Sequence, residues 1–186
     1  MYSQVNVYHV AEIRALETTA IQQGISAHEL MQRAGHAVFR AVSLHFSFCQ
    51  RIAIVVGGGN NGGDGLVVAS LLQQAGYFVT VHRVHGPLLD LANYDLLIDA
   101  ICGIGLEKPL NESAQRAVDA MNQANRPILA IDVPTGIHAD TGLALGRPIE
   151  ATLTVTFIGM KTGLLDADGI RMAGELMVWR DADTAT

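Results

Sequence analysis

The stretch Ile52-Ala-Ile-Val-Val-Gly-Gly-Gly-Asn-Asn-Gly-Gly-Asp-Gly-Leu-Val-Val-Ala-Ser-Leu-Leu72 decides the fold. Ile52–Val56 is a continuous apolar run, as in a strand covered on both faces. Leu66–Leu72 returns to helical character, and a glycine-dense turn joins the two. Strand, glycine turn and helix make the first half of a βαβ unit. Outward from it, Phe78–Val84, Tyr94–Asp99, Pro127–Val133, Ala151–Phe157 and Glu175–Trp179 read as further strands, with Ser113–Ala124 helical. Strands alternating with helices predict an α/β fold with a mostly parallel, doubly wound sheet. Ligands of such sheets bind beyond the carboxyl ends of the strands.

Toward the N-terminus the period changes. Val10, Ile13, Leu16, Ala20 and Ile21 recur at helical spacing within Val10–Gln23. Ser26-Ala-His-Glu29 reads as a capping box opening a second helix, which turns Leu30, Ala34, Ala37, Val38, Ala41 and Val42 inward. Gly24 suits a break and Gly35 a close approach. The chain has 186 residues, 12 Lys+Arg against 18 Asp+Glu, and a net charge of −6. With no repeat or linker, residues 1–186 read as a single domain. Hydrophobic residues at 49% exclude intrinsic disorder. The acidic balance argues against nucleic acid, whose phosphates demand clustered Lys and Arg. Cys49 and Cys102 make neither a disulfide framework nor a metal quartet, so a reducing, cytoplasmic setting is expected. The opening MYSQVNVYHV lacks the pattern of a signal peptide, and no apolar run approaches bilayer length.

Three strand ends carry the chemistry: Val56-GGGNNGGD, Asp99-AICGIG and Asp132-VPTG. Gly57-Gly-Gly59-Asn-Asn-Gly62 fits a dinucleotide-binding fingerprint, and a plain tight turn would also explain it. Two features depart from an ordinary NAD site. Thr80–Val84 offers no acid for the ribose about 20 residues on, and Asp64 sits where a pyrophosphate would approach. No Lys-Ser/Thr follows, so the loop is not a P-loop. A carboxylate is tolerable there if it caps the helix or if a cation shares the site. The oxygens of Asn60, Asn61, Asp99 and Asp132 would suit a hard cation beside a phosphorylated ligand. Each Asp alone is equally explained as a strand-end cap. His82 and His85 would face opposite sides of a strand and make no metal pair. Cys102 lacks a base and reads as a small buried residue. Lys161, one of only two lysines, could neutralise a phosphate or a reacting group, or simply be solvated.

Together, VGGGNNGGDG (56–65), IDAICGIGLEKPL (98–110), AIDVPTGIHADTG (130–142) and TVTFIGMKTGLL (154–165) resemble the YjeF N-terminal domain family, the NAD(P)H-hydrate epimerases. ELMQRAG (29–35) is similar as well. The resemblance implies a Rossmann-like three-layer αβα sandwich with an N-terminal helical pair. It implies interconversion of the R and S forms of hydrated NADH and NADPH, here NAD(P)HX, a damaged dinucleotide that is substrate rather than cofactor. A partner NAD(P)HX dehydratase consumes only the S form. Carried over by motif, the substrate would meet Asn60, Asn61, Gly62, Gly63 and Asp64, then Gly103, Ile104, Gly105, Leu106, Glu107, Lys108 and Pro109, and also Asp132. One potassium ion per subunit would be held by Asn61, Asp99 and Thr135. Asp132 is the expected catalytic acid–base, with Lys161 as a supporting charge. No nucleic acid or membrane partner follows, and a homodimer through the N-terminal helices is one open arrangement.

The chain departs from the family at several points. Thr135 stands where Ser is common, Ile104 where Thr is common, and His138 where Asp is common. The connection 85–93 is short where the family usually inserts a helix. Two other functions compete. A catalytically silent nucleotide-binding or interaction module has no need of Asn61, Asp64, Asp99 and Asp132 together. An NAD-dependent oxidoreductase is weakened by the missing ribose acid and by Asp64. Arg83 could meet a 2′-phosphate or be a solvated charge.

Overall fold

A computed structural model describes residues 6–87 and 90–180. Residues 1–5 of the opening stretch and 88–89 of the short connection lie outside them. The apolar run forms strand β2 (Arg51–Val56), after the two-residue β1 (Val7–Tyr8) and helices α1 (Val10–Gln22) and α2 (Ala27–His45). There follow α3 (Asn60–Gln74), β3 (Phe78–Arg83), β4 (Leu96–Ala100), α4 (Glu112–Gln123) and β5 (Ile128–Ile131). The chain continues through β6 (Leu153–Phe157), β7 (Met160–Lys161), a 3-10 turn (Thr162–Leu165), α5 (Ala167–Met172) and β8 (Glu175–Trp179).

Six strands form one sheet in the order β3-β2-β4-β5-β6-β8, every pair parallel. Alternate residues of one strand feed opposite cores. Ile52, Ile54 and Val56 pack with α2 and α3, whereas Ala53 and Val55 pack with α4. That gives three layers, and it explains why the central strands have no polar face. From β2 the chain passes outward to β3, then returns to add β4 on the other side of β2. The direction of winding therefore reverses between β2 and β4, where a crevice must open above their carboxyl ends.

The short connection crosses β2 without a helix or strand among its described residues. The twelve positions between Arg83 and Leu96 can reach roughly 40 Å extended. Returning along a five-residue strand and across two strand spacings needs only about 20 Å. Leu91 plugs the α4 core and is 3% exposed. Arg126 holds the segment by two guanidinium bonds to the Ala92 carbonyl, at 3.0 and 2.7 Å. Tyr94 hydroxyl meets the His82 ring at 3.2 Å.

One local expectation needs correction. Ser26 does cap α2, accepting from the Glu29 N–H at 3.1 Å. Glu29 does not return the bond; its carboxylate takes Arg33 at 2.6 Å instead. The reciprocal cap sits on α1, where Glu12 accepts from the His9 N–H at 2.8 Å. On α1, Ile13 and Ala20 are buried, and Ile21 is 47% exposed.

Candidate functional site

A cavity of about 800 Å³ opens above the carboxyl ends of the strands. Its floor is the switch point, and its far wall is α1. The loop after β2 approaches the loop after β4 as closely as backbones can. A Cβ on Gly57 would lie 2.1 Å from the Ile101 carbonyl oxygen, and one on Gly62 would lie 2.1 Å from the Gly57 carbonyl oxygen. Only glycine fits either position. The N-terminus of α3 then points its free N–H groups into the cavity, a ready cradle for an anion.

Asn60, Asn61 and Asp64 from this turn line the cavity with Gly103, Ile104, Gly105, Leu106, Asp132 and Lys161. The structure does not bring in the other sequence candidates. Gly62 packs on its own loop and Gly63 lies under the Met31 thioether. Glu107, Lys108 and Pro109 are exposed beyond the rim. Arg83 is exposed at the end of β3, while its neighbours Val84 and His85 reach the cavity.

Asp132 ends β5 in a left-handed conformation, φ 70°, and Ile158 beyond β6 has φ 67°. A side chain seldom adopts such a backbone unless its surroundings hold it there, and such strain concentrates at working sites. Asp132 Oδ1 accepts from Lys161 Nζ at 2.5 Å and from the Thr156 hydroxyl at 3.3 Å. The ammonium also donates to Thr156 Oγ1 at 2.8 Å and to the Phe157 carbonyl at 2.9 Å. Lys161 is 1% exposed, so it is no solvated surface charge. β7 fixes it by pairing with β1, Lys161 opposite Tyr8. Asp132 Oδ2 lies on the Gly103 side, 3.0 Å from where a Cβ there would stand, and Asn61 Oδ1 is 3.3 Å from the same point. Two strand ends and the helix turn thus converge.

Asp99 and Thr135 lie deeper, both fully buried. Asp99 Oδ2 accepts from the Thr135 N–H at 2.8 Å, and Oδ1 from its hydroxyl at 2.7 Å and from the Ile101 N–H at 3.2 Å. The Thr135 hydroxyl in turn accepts from the Cys102 N–H at 2.9 Å. Despite these donors, burial pushes the Asp99 carboxyl up to about 6, and no cationic side chain pairs with it among the described residues. Asn61 Nδ2 is buried without a hydrogen-bond partner among them. A buried carboxylate lacking a counter-charge and a buried amide lacking a partner are both costly alone. Burial first, then Asp132 and Glu17, push Asp64 up to about 8. Burial and Asp99 push the Cys102 thiol up to about 11, which leaves it no nucleophile.

Sequence reasoning missed the α1 wall. Ile13, Arg14, Glu17, Thr18 and Ile21 all face the cavity. The signal was Glu17, a carboxylate set among apolar residues at helical spacing.

The model of the family described as YjeF-related protein N-terminus matches residues 27–90 and 82–163. The two matched pieces meet at the shortened connection. An NAD(P)H-hydrate epimerase of Limosilactobacillus fermentum is 37% identical, over 94% of this chain and 96% of that protein. One of Bordetella pertussis is 34% identical over 92% and 86%. A bifunctional NAD(P)H-hydrate repair enzyme of Coxiella burnetii is 37% identical, and the chain spans 41% of its length. The crystal structure of a yeast protein superposes with a TM-score of 0.82 at 22% identity, covering 97% of this chain and 92% of that one. At that identity it speaks to the fold alone.

Proposed function

This chain belongs to the YjeF-related N-terminal family, and from that premise we propose that it epimerises NAD(P)HX, interconverting the R and S forms of the hydrated nicotinamide dinucleotides. One observation carries the reading: a single cavity joins a helix N-terminus suited to a diphosphate with the fixed Asp132–Lys161 pair, Asp132 in a left-handed backbone. The chain also matches stand-alone epimerases along nearly their whole length.

The substrate bears a hydroxyl at C6 beside the ring nitrogen. Expelling that hydroxyl with help from the nitrogen lone pair leaves a planar iminium, which water can attack from either face. Asp132 is the acid–base group that serves the oxygen at C6. Lys161 holds its Oδ1 and leaves Oδ2 toward the cavity. The free N–H groups of Asn60 and Asn61 receive the diphosphate, and the unpaired Asn61 amide donates to a substrate oxygen.

Potassium fits the donor set. Asn61 Oδ1, the Asp99 carboxylate and Thr135 are the residues that would hold it, and all are oxygen donors of the kind hard cations take. The cation would supply the counter-charge that buried Asp99 lacks and would order the three loops; it breaks no bond. The net charge of −6 points away from nucleic acid, and among the described residues no helix is long and apolar enough to cross a membrane. The partner in function is an S-specific NAD(P)HX dehydratase.

The test is a coupled assay on mixed R and S hydrates, with that dehydratase draining the S form and either potassium or sodium as the monovalent cation. Catalysed loss of the R form, faster in potassium, is expected. Loss at the uncatalysed rate would favour a silent nucleotide-binding module.

A further inference from the structure

The acid–base pair needs a second member. Inverting C6 by expulsion and return of water requires proton transfer on both faces of the nicotinamide ring. Asp132 cannot swing between faces, because Lys161 and Thr156 hold its Oδ1 and keep its Oδ2 on the Gly103 side of the cavity. The second group must come from across the ring. The cavity lies between the strand ends and one face of α1, on which Ile13, Arg14, Glu17, Thr18 and Ile21 recur at helical spacing. Glu17 is the only carboxylate on that face. Thr18 is occupied, its hydroxyl donating to the Arg14 carbonyl at 2.8 Å. Glu17 makes no hydrogen bond among the described residues, so its carboxyl is free to meet a ligand. The start of α1 is fixed beside the reacting pair, because β1 immediately before it pairs with Lys161.

Resting on the epimerase reading, we propose that Glu17 is the second catalytic acid–base residue, acting on the ring face opposite Asp132. In one direction the Glu17 carboxylic acid protonates the C6 hydroxyl. The C–O bond breaks, water leaves, and the nitrogen lone pair forms the C=N⁺ bond. Water then attacks C6 from the other face and the C=N⁺ π pair returns to nitrogen. The proton of that water passes to the Asp132 carboxylate. The reverse epimerisation uses the same groups in exchanged roles, and solvent returns the one proton between turnovers. The environment supports the assignment. Burial foremost, then the Asp132 charge, raises the Glu17 carboxyl, against smaller opposing effects of Lys161 and Arg14. The charged groups facing it are thus Arg14 on its own helix, Asp64 on α3, and Asp132 with Lys161 from the sheet side.

The experiment is steady-state epimerisation by the wild-type protein, Glu17→Gln, Glu17→Asp and Glu17→Ala across pH. Thermal unfolding checks that each variant folds. Expected are a fall of about 10²–10⁴-fold in kcat for Glu17→Gln with KM little changed, and loss of one limb of the pH profile. Partial recovery is expected in Glu17→Asp, and rescue of Glu17→Ala by added formate. A folded Glu17→Gln with wild-type kcat and both limbs overturns the assignment. So does Glu17→Ala that formate does not rescue while Glu17→Gln keeps both limbs. An inactive wild-type protein would instead sink the epimerase reading itself, so the two failures are distinguishable.

Discussion

Replacing Lys161 by Met tests the site through stability rather than turnover. Met has similar length, so packing changes little, and the main loss is electrostatic. Removal takes away the 2.5 Å ion pair with Asp132 and the donors to Thr156 Oγ1 and the Phe157 carbonyl. Asp132 is 9% exposed. It would keep one donor on Oδ1, the Thr156 hydroxyl at 3.3 Å. Breaking a buried pair on one side typically costs about 3–5 kcal/mol, because the other charge stays buried without compensation. For a chain of this size 1 kcal/mol moves Tm by about 2–4 °C. The expected fall in Tm is thus about 6–20 °C. Adding Asp132→Asn removes the stranded charge, so the double variant should be more stable than Lys161→Met alone. Urea unfolding of the two single variants, the double variant and the wild type closes the cycle. A Lys161→Met loss below about 1 kcal/mol, or strictly additive effects, would refute the claim that this pair is buried and coupled.

Three further outcomes follow from the geometry. Asp64 is raised on folding from its ordinary 3.8 to about 8, so the native state binds the extra proton between those values. The sign is then fixed: stability falls as pH rises through that window, and Asp64→Asn should flatten the fall in chemical denaturation series at pH 4 to 9. Gly57→Ala would drive a Cβ to 2.1 Å from the Ile101 carbonyl, a backbone atom with no room to yield. A loss of about 1–3 kcal/mol and weaker binding of NADPH by calorimetry are expected. Thr135→Val strands the Cys102 N–H and removes a donor from Asp99. It should cost about 1–3 kcal/mol and abolish any difference between potassium and sodium in thermal unfolding.

The six-strand sheet was legible because its strands are continuous apolar runs with turn residues between them. That signal is local. The convergence of Asn61 and Asp132 beside Gly103 was legible too, because the switch-point rule places strand ends at one crevice, whereas Asp99 lies beneath it, fully buried. The rest depends on contacts distant in sequence. β1 and β7 have two residues each, too short for any period. Lys161 looked like a surface charge because its burial is set by pairing with Tyr8 and by Asp132, 29 positions away. Glu29 looked like half of a capping box, and Arg33 one turn later took its carboxylate. Ile21 fitted an apolar stripe by spacing, but α1 faces a cavity rather than a solid core, so the stripe's outer edge stays open. Sequence spacing defines a face without saying whether protein or ligand covers it.

The central claim is that this cavity catalyses inversion at C6 through Asp132. The direct measurement starts from separated R and S hydrates, incubates each with wild-type protein or Asp132→Asn, and follows the two epimers by chromatography. The account predicts that the wild-type protein carries both samples to the same mixture at a rate proportional to its concentration, while folded Asp132→Asn is slower by about 10²-fold or more. Wild-type protein that leaves both samples at the uncatalysed rate, or Asp132→Asn that matches it, would contradict the account.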